Sequence, residues 1–171
     1  MITRFTPPKT FSLLSIALQL AVLSCAEDLS GRAAIQARGS HMLLDLIIAA
    51  PPPFPVDLWP REKSSIGVNQ VWNLRWLQHD NLYEIQHENT HKSLAWMSDG
   101  DAQVYAAQQD SNNTWTLVLQ PDSTTFRLEG TGTGRCIGRN DESKGARVTL
   151  SDCSEASNQL WELVRDFGPG P

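Results

Sequence analysis

The sequence is short of most of what marks the common functional classes. It has three cysteines and four histidines in 171 residues. Two cysteines alone do not make the four ligands of a zinc site, and His41, His79, His87 and His91 show no supporting spacing. No acidic cluster has the spacing of a calcium loop, so neither a metal nor another cofactor is expected. Basic charge is also scarce: 14 Lys and Arg stand against 19 Asp and Glu, with no basic run. That balance argues against a nucleic-acid partner, whose phosphates need clustered cations. No Ser/His/Asp arrangement, glycine-rich phosphate loop or metal motif is visible, and no catalytic residues are expected. From sequence alone, two carboxylates flanking a cleft would still leave glycoside hydrolysis open.

Long apolar runs are missing as well, apart from residues 11–23. That run is shorter than the ~20 residues a membrane helix needs, so no membrane span is expected. Arg4 and Lys9 precede it, and Ser24-Cys25-Ala26 follows as a small-x-small cleavage site. This is the layout of a secretory signal peptide over residues 1–26, which leaves one domain at 27–171 and an extracellular location. The alternatives are an N-terminal core helix, or a lipid anchor at Cys25 in Val22-Leu23-Ser24-Cys25, where Leu23 fits poorly. Loss of Arg4 and Lys9 with the signal takes the net charge from −5 to −7. It also leaves Cys136 and Cys153 as an even pair in an oxidising compartment, where a disulfide is the default.

What the sequence does have is one tripeptide pattern three times: Gln70-Val71-Trp72, Asn113-Thr114-Trp115 and Gln159-Leu160-Trp161. The tryptophans are 43 and 46 residues apart, and each is followed two residues later by a leucine. A period in this range marks a repeat architecture. Upstream, the intervals Ile35 to Leu44, Ile85 to Leu94 and Leu128 to Ile137 are nine residues each. Gly39-Ser40-His41-Met42 resembles the scar of a cleaved tag, but it lies inside that interval and keeps the repeat in phase. It is read as a native hairpin turn. The segments 83–86, 125–129, 147–150 and 160–163 alternate apolar and polar residues as half-buried strands do. No 3.6-residue apolar period persists outside the N-terminal run. The expectation is an all-β domain of three four-stranded repeats, at about 31–76, 80–119 and 124–165, closed to remove exposed edges.

The run from Cys136-Ile137-Gly138 through Val148-Thr149-Leu150-Ser151-Asp152-Cys153 to Asn158-Gln159-Leu160-Trp161-Glu162-Leu163 resembles one repeat of the ricin B-type lectin family. The resemblance extends over roughly 31–165 and is worn in repeat two, where Asn113 replaces the Gln. It implies a β-trefoil with pseudo-threefold symmetry and an intra-repeat Cys136–Cys153 disulfide. The repeated tryptophans, with Ile35, Ile85, Leu128, Leu44, Leu94 and Ile137, are expected to fill the core, and each tripeptide Gln to bond backbone.

Residues that differ between repeats are the functional candidates. In the family, a working sugar pocket has an Asp after the second strand's apolar residue, an aromatic after the third strand, and an Asn before the Gln-x-Trp. Repeat one matches with Asp45, Trp59 and Asn69. The corresponding residues are Ala95, Ala107 and Asn112 in repeat two, and Gly138, Ser151 and Asn158 in repeat three. These types suit a sugar physically. An indole covers the ring's C–H face, a carboxylate accepts from adjacent hydroxyls, and an amide both donates and accepts. Asp57 and Gln70 are second-tier candidates. The competing reading makes Asp45 a turn cap and Trp59 a wedge beside Pro60. Between them, Pro51-Pro52-Pro53-Phe54-Pro55 should be stiff, either preorganising the mouth or displacing it. Trp96 with Asp99 is a weaker second pocket, and Asn112-Asn113-Thr114 is a possible glycosylation sequon.

The resemblance therefore implies a secreted, metal-independent, non-catalytic lectin for galactose-type glycans or glycoproteins. One site binds weakly, so self-association into a homo-oligomer would add avidity. The alternative is a β-trefoil that has lost sugar binding and serves as a protease inhibitor or protein-docking module, since fold alone does not decide function.

Overall fold

The computed structural model describes residues 28–61, 65–77, 81–97, 104–107 and 112–167. The expected signal peptide at 1–26, with Cys25, and also His79 and Asp99 lie outside them. Twelve strands run through the described chain. Repeat one holds β1 (Gly31–Ala37), β2 (Met42–Leu46), β3 (Phe54–Pro60) and β4 (Trp72–Trp76). Repeat two holds β5 (Leu82–His87), β6 (Ser93–Trp96), β7 (Val104–Ala107) and β8 (Thr114–Leu119). Repeat three holds β9 (Thr125–Gly130), β10 (Arg135–Arg139), β11 (Val148–Asp152) and β12 (Trp161–Val164).

The first and last strands of each repeat close a ring. β1 pairs β4, β4 pairs β5, β5 pairs β8, β8 pairs β9, β9 pairs β12, and β12 returns to β1, all antiparallel. The inner strands form three hairpins, β2–β3, β6–β7 and β10–β11. Six barrel strands with three hairpins make the expected β-trefoil, and closure leaves the barrel without an edge strand.

The threefold pattern goes down to single atoms. Trp72, Trp115 and Trp161 are fully buried. Their indole N–H groups donate to the carbonyls of Leu44 at 3.1 Å, Leu94 at 2.9 Å and Ile137 at 3.1 Å. Each tryptophan thus fills the core and also satisfies its buried N–H, as a buried indole must. Ile35, Ile85, Leu128, Leu44, Leu94 and Ile137 are fully buried beside them, as the repeat predicts. The turn at 38–41 is a true hairpin connection. Gly39 has φ +71°, and the Ser40 hydroxyl accepts from Met42 N and donates to the Ala37 carbonyl. Thr133 repeats that pair of bonds with Arg135 N and the Gly130 carbonyl. Cys136 and Cys153 are joined by a disulfide that ties β10 to the end of β11.

Candidate functional site

Register builds the site. In the β2–β3 hairpin Leu44 stands opposite Leu58, and Asp45 opposite Asp57. Successive side chains alternate faces. Leu44, Leu46, Val56 and Leu58 therefore point into the core, while Asp45, Asp57 and Trp59 share the other face. Asn69 arrives on a short 3-10 turn, Val68–Gln70, just before β4. The Gln70 amide secures that turn. Its oxygen accepts from Gly67 N at 2.9 Å, and its nitrogen donates to the carbonyls of Trp59 and Pro60 at 3.3 and 3.4 Å. Behind the turn His87 is buried edge-on to Trp72 with ring centroids 5.2 Å apart. Burial lowers its pKa, so it serves as a neutral packing group.

These elements enclose a cleft of about 420 Å³ lined by Asp45, Asp57, Trp59, Asn69 and the apolar wall 46–49. A smaller adjoining recess of about 180 Å³ shares Asp45, Trp59 and Asn69 and adds Gly67, Val68 and Gln70. All five residues singled out in the sequence thus lie around one opening. The cleft's size falls within the ~300–1,000 Å³ of small-molecule sites. The prolines at 51–53 are exposed and do not line it. Pro55 instead joins β3, where its carbonyl accepts from Ile47 N at 3.0 Å and steadies the wall.

The electrostatics are unusual for an open mouth. Asp57 is 4% exposed, and its Oδ1 is buried without a hydrogen-bond partner. Burial pushes its pKa up to about 6, with the Arg147 charge opposing. Asp45 is also raised to about 6, by burial first and then by the charge of Asp57, while a hydrogen bond from Gln70 works the other way.

Among the described residues the equivalent positions in the other repeats carry no carboxylate facing an aromatic. In repeat three an added Cβ at Gly138 would meet Gln159 Cγ at 3.3 Å, and Gln159 donates to Ser151 Oγ at 2.7 Å. In repeat two Ala95 and Tyr105 are buried. The asparagine amides differ likewise. Asn112 donates to the Trp96 carbonyl at 3.4 Å, and Asn158 to the Arg139 carbonyl at 3.1 Å. Asn69 makes no corresponding bond to Leu46 among the described residues. Trp96 is itself buried edge-on against Trp115, with centroids 4.9 Å apart. It therefore packs in the core, and Asp99, its expected partner in a second pocket, lies outside the described residues.

Sequence reasoning missed the contribution of repeat three to this mouth. Leu58 N donates to Ala146 O at 2.9 Å, and Gly145 N to Leu58 O at 2.7 Å, which fastens the segment 143–147 along β3. Arg147 bridges to Asp57, and Lys144 Nζ lies 3.9 Å from the Trp59 ring centroid. Ser143-Lys144-Gly145 carries a turn signal, but nothing local says which repeat the turn will meet.

Residues 68–149 match the family model described as ricin-type beta-trefoil lectin domain-like. Over that stretch, just under half of its length, the chain is similar to the ricin B-type lectins. No curated protein matches it significantly. Among solved structures, the designed threefold-symmetric protein ThreeFoil is 24% identical with TM-score 0.69, over 80% of this chain and 99% of that one. A ricin B-like lectin of Macrolepiota procera, in complex with lactose, is 18% identical with TM-score 0.68, over 80% and 97%. An exo-β-1,3-galactanase from Clostridium thermocellum matches over 78% of this chain but 30% of its own, at 16% identity and TM-score 0.68. These likenesses concern the fold. In the galactanase the matching unit is one part of a longer chain.

Proposed function

We propose that this protein is a divergent ricin B-type lectin, secreted and non-catalytic, that binds galactose-type glycans through the repeat-one cleft, without a metal. The observation that carries the proposal is the convergence of Asp45, Trp59 and Asn69 on one opening, while the equivalent positions hold Ala95 and Ala107 in repeat two and Gly138 and Ser151 in repeat three. In this reading the Trp59 indole takes the C–H face of the sugar ring. Lys144 already rests on one face of that indole, so the sugar uses the other. Asp45 accepts from two hydroxyls, and the Asn69 amide, which spends no bond on Leu46, donates to or accepts from a third. A glycan array on the purified protein tests it. Binding to galactose-terminated glycans that disappears in Asp45→Ala with Trp59→Ala supports the site. Undiminished binding in that double variant refutes it.

A second reading, a protein-docking or inhibitory trefoil, is favoured by Ile48 and Val68, which are 49% and 65% exposed at the rim. A blank glycan array together with submicromolar protease inhibition would put that reading first.

A further inference from the structure

We infer that the repeat-one cleft selects sugars that carry a protonated amine, a 2-amino-2-deoxyhexose rather than its neutral parent, with Asp57 as the residue that sets the preference. The inference rests on the lectin reading above and specifies its ligand. A neutral hexose needs one carboxylate to take a pair of hydroxyls, and this cleft has two, directly opposed across β2 and β3. Asp57 is the surplus one. It is buried to 4% exposure yet lines the cleft, and its Oδ1 has no partner. A buried unpaired acceptor is costly until a donor reaches it, and a charged donor repays more than a neutral one.

The protein's own cations do not close this account. Arg147 bridges to Asp57 through backbone and makes no ion pair with it within 4 Å among the described residues. Lys144 rests on the Trp59 ring, which shows that the mouth accommodates an ammonium against the indole. A metal ion suits the cleft less well. Among the described residues no group of three or more His, Cys, Asp or Glu is gathered to hold one, and calcium takes six to eight oxygens. An ammonium with three N–H donors can bridge two facing carboxylates while the ring stays on Trp59.

The groups facing the pair are Gln70 from the turn before β4, and Arg147 and Lys144 from the 143–147 segment. The pH response is assigned to the two carboxylates, Asp45 and Asp57. They are charged at pH 7 and share protons at pH 5.

The test is competition for immobilised galactose by D-galactose, N-acetyl-D-galactosamine, D-galactosamine and ethanolamine. At pH 7 galactosamine should compete about tenfold better than galactose or the N-acetyl sugar. That preference should fall towards onefold at pH 5, and at pH 7 in Asp57→Asn. The pH arm uses the wild-type protein, so it stands even if the variant folds poorly. Equal competition by the three sugars would overturn the inference and leave the lectin reading intact. Ethanolamine competing as well as galactosamine would overturn it by showing an amine site indifferent to the sugar. Failure of every sugar to bind would overturn both.

Discussion

Replacing Asp57 by Asn isolates the energetic cost of the site. Asp57 sits at a pKa of about 6 against an ordinary value of 3.8. At 1.36 kcal/mol per pKa unit this is on the order of 3 kcal/mol of stability that the folded protein lacks once the carboxylate is ionised. The sign follows from proton counts. The folded state holds the proton more tightly than the unfolded chain, so it carries the excess protons between about pH 4 and 6. The contribution is fully present below pH 3.8 and is lost as pH rises through about 6. Asparagine removes the ionisable group while keeping size and hydrogen-bonding shape. Urea unfolding followed by tryptophan fluorescence should find Asp57→Asn more stable than wild type by about 2–3 kcal/mol at pH 7.5, with the difference closing by pH 4. The comparison must be between variants at each pH, because other carboxylates act in the opposite sense. Asp122 is held near 2 by hydrogen bonds from Thr125 first and then Thr124, and its contribution is lost in acid. A variant less stable than wild type at pH 7.5, or a difference that ignores pH, would refute the reasoning. Either result would mean that Asp57 has a stabilising partner when ionised.

The other predictions concern the frame. Cys136→Ser with Cys153→Ser opens a loop spanning 17 residues and should cost roughly 3 kcal/mol in the chain-entropy model, read as a lower urea midpoint. Trp161→Phe removes the donor to Ile137 O. It should cost about 1–3 kcal/mol beyond the lost packing, since a buried carbonyl is left unpaired. The same change at Trp72 or Trp115 should cost a similar amount, because both make the equivalent bond, and thermal unfolding of the three variants checks this. The double variant Asp45→Ala with Trp59→Ala should lose glycan binding, and comparison of its melting temperature with that of wild type separates a lost site from a lost fold.

The fold was legible because its determinants are local and repeated. A nine-residue interval between buried apolar positions and a tryptophan every 43 to 46 residues can be read without knowing what packs on what. The partnering of Asp45 with Asp57 was half legible. The shared register Leu44–Leu58 implies it, but the burial that makes the pair costly depends on the 143–147 segment arriving from another repeat. That arrival is a tertiary event with no local trace, so nothing in the local sequence marks Lys144, Gly145 and Arg147 as part of the mouth. The closing of the repeat-three position was legible only as the absence of an Asp and an aromatic. It did not reveal that Gln159 packs beneath Gly138 or that Arg139 is buried there.

Threefold symmetry of the core and asymmetry of the surface have a common physical origin here. The tryptophan-to-carbonyl bonds are made identically three times because each buried N–H must be paired, and no repeat is exempt. The asparagine one turn earlier lies nearer solvent and is under no such obligation. Asn112 and Asn158 spend their amides on their own repeat's backbone, and Asn69 does not. The cleft opens at the repeat where that local bond is absent and where an acidic pair replaces Ala95–Tyr105 and Gly138–Thr149. Repeat one thus gives up local satisfaction at the same atoms that a polar ligand would need to find unoccupied.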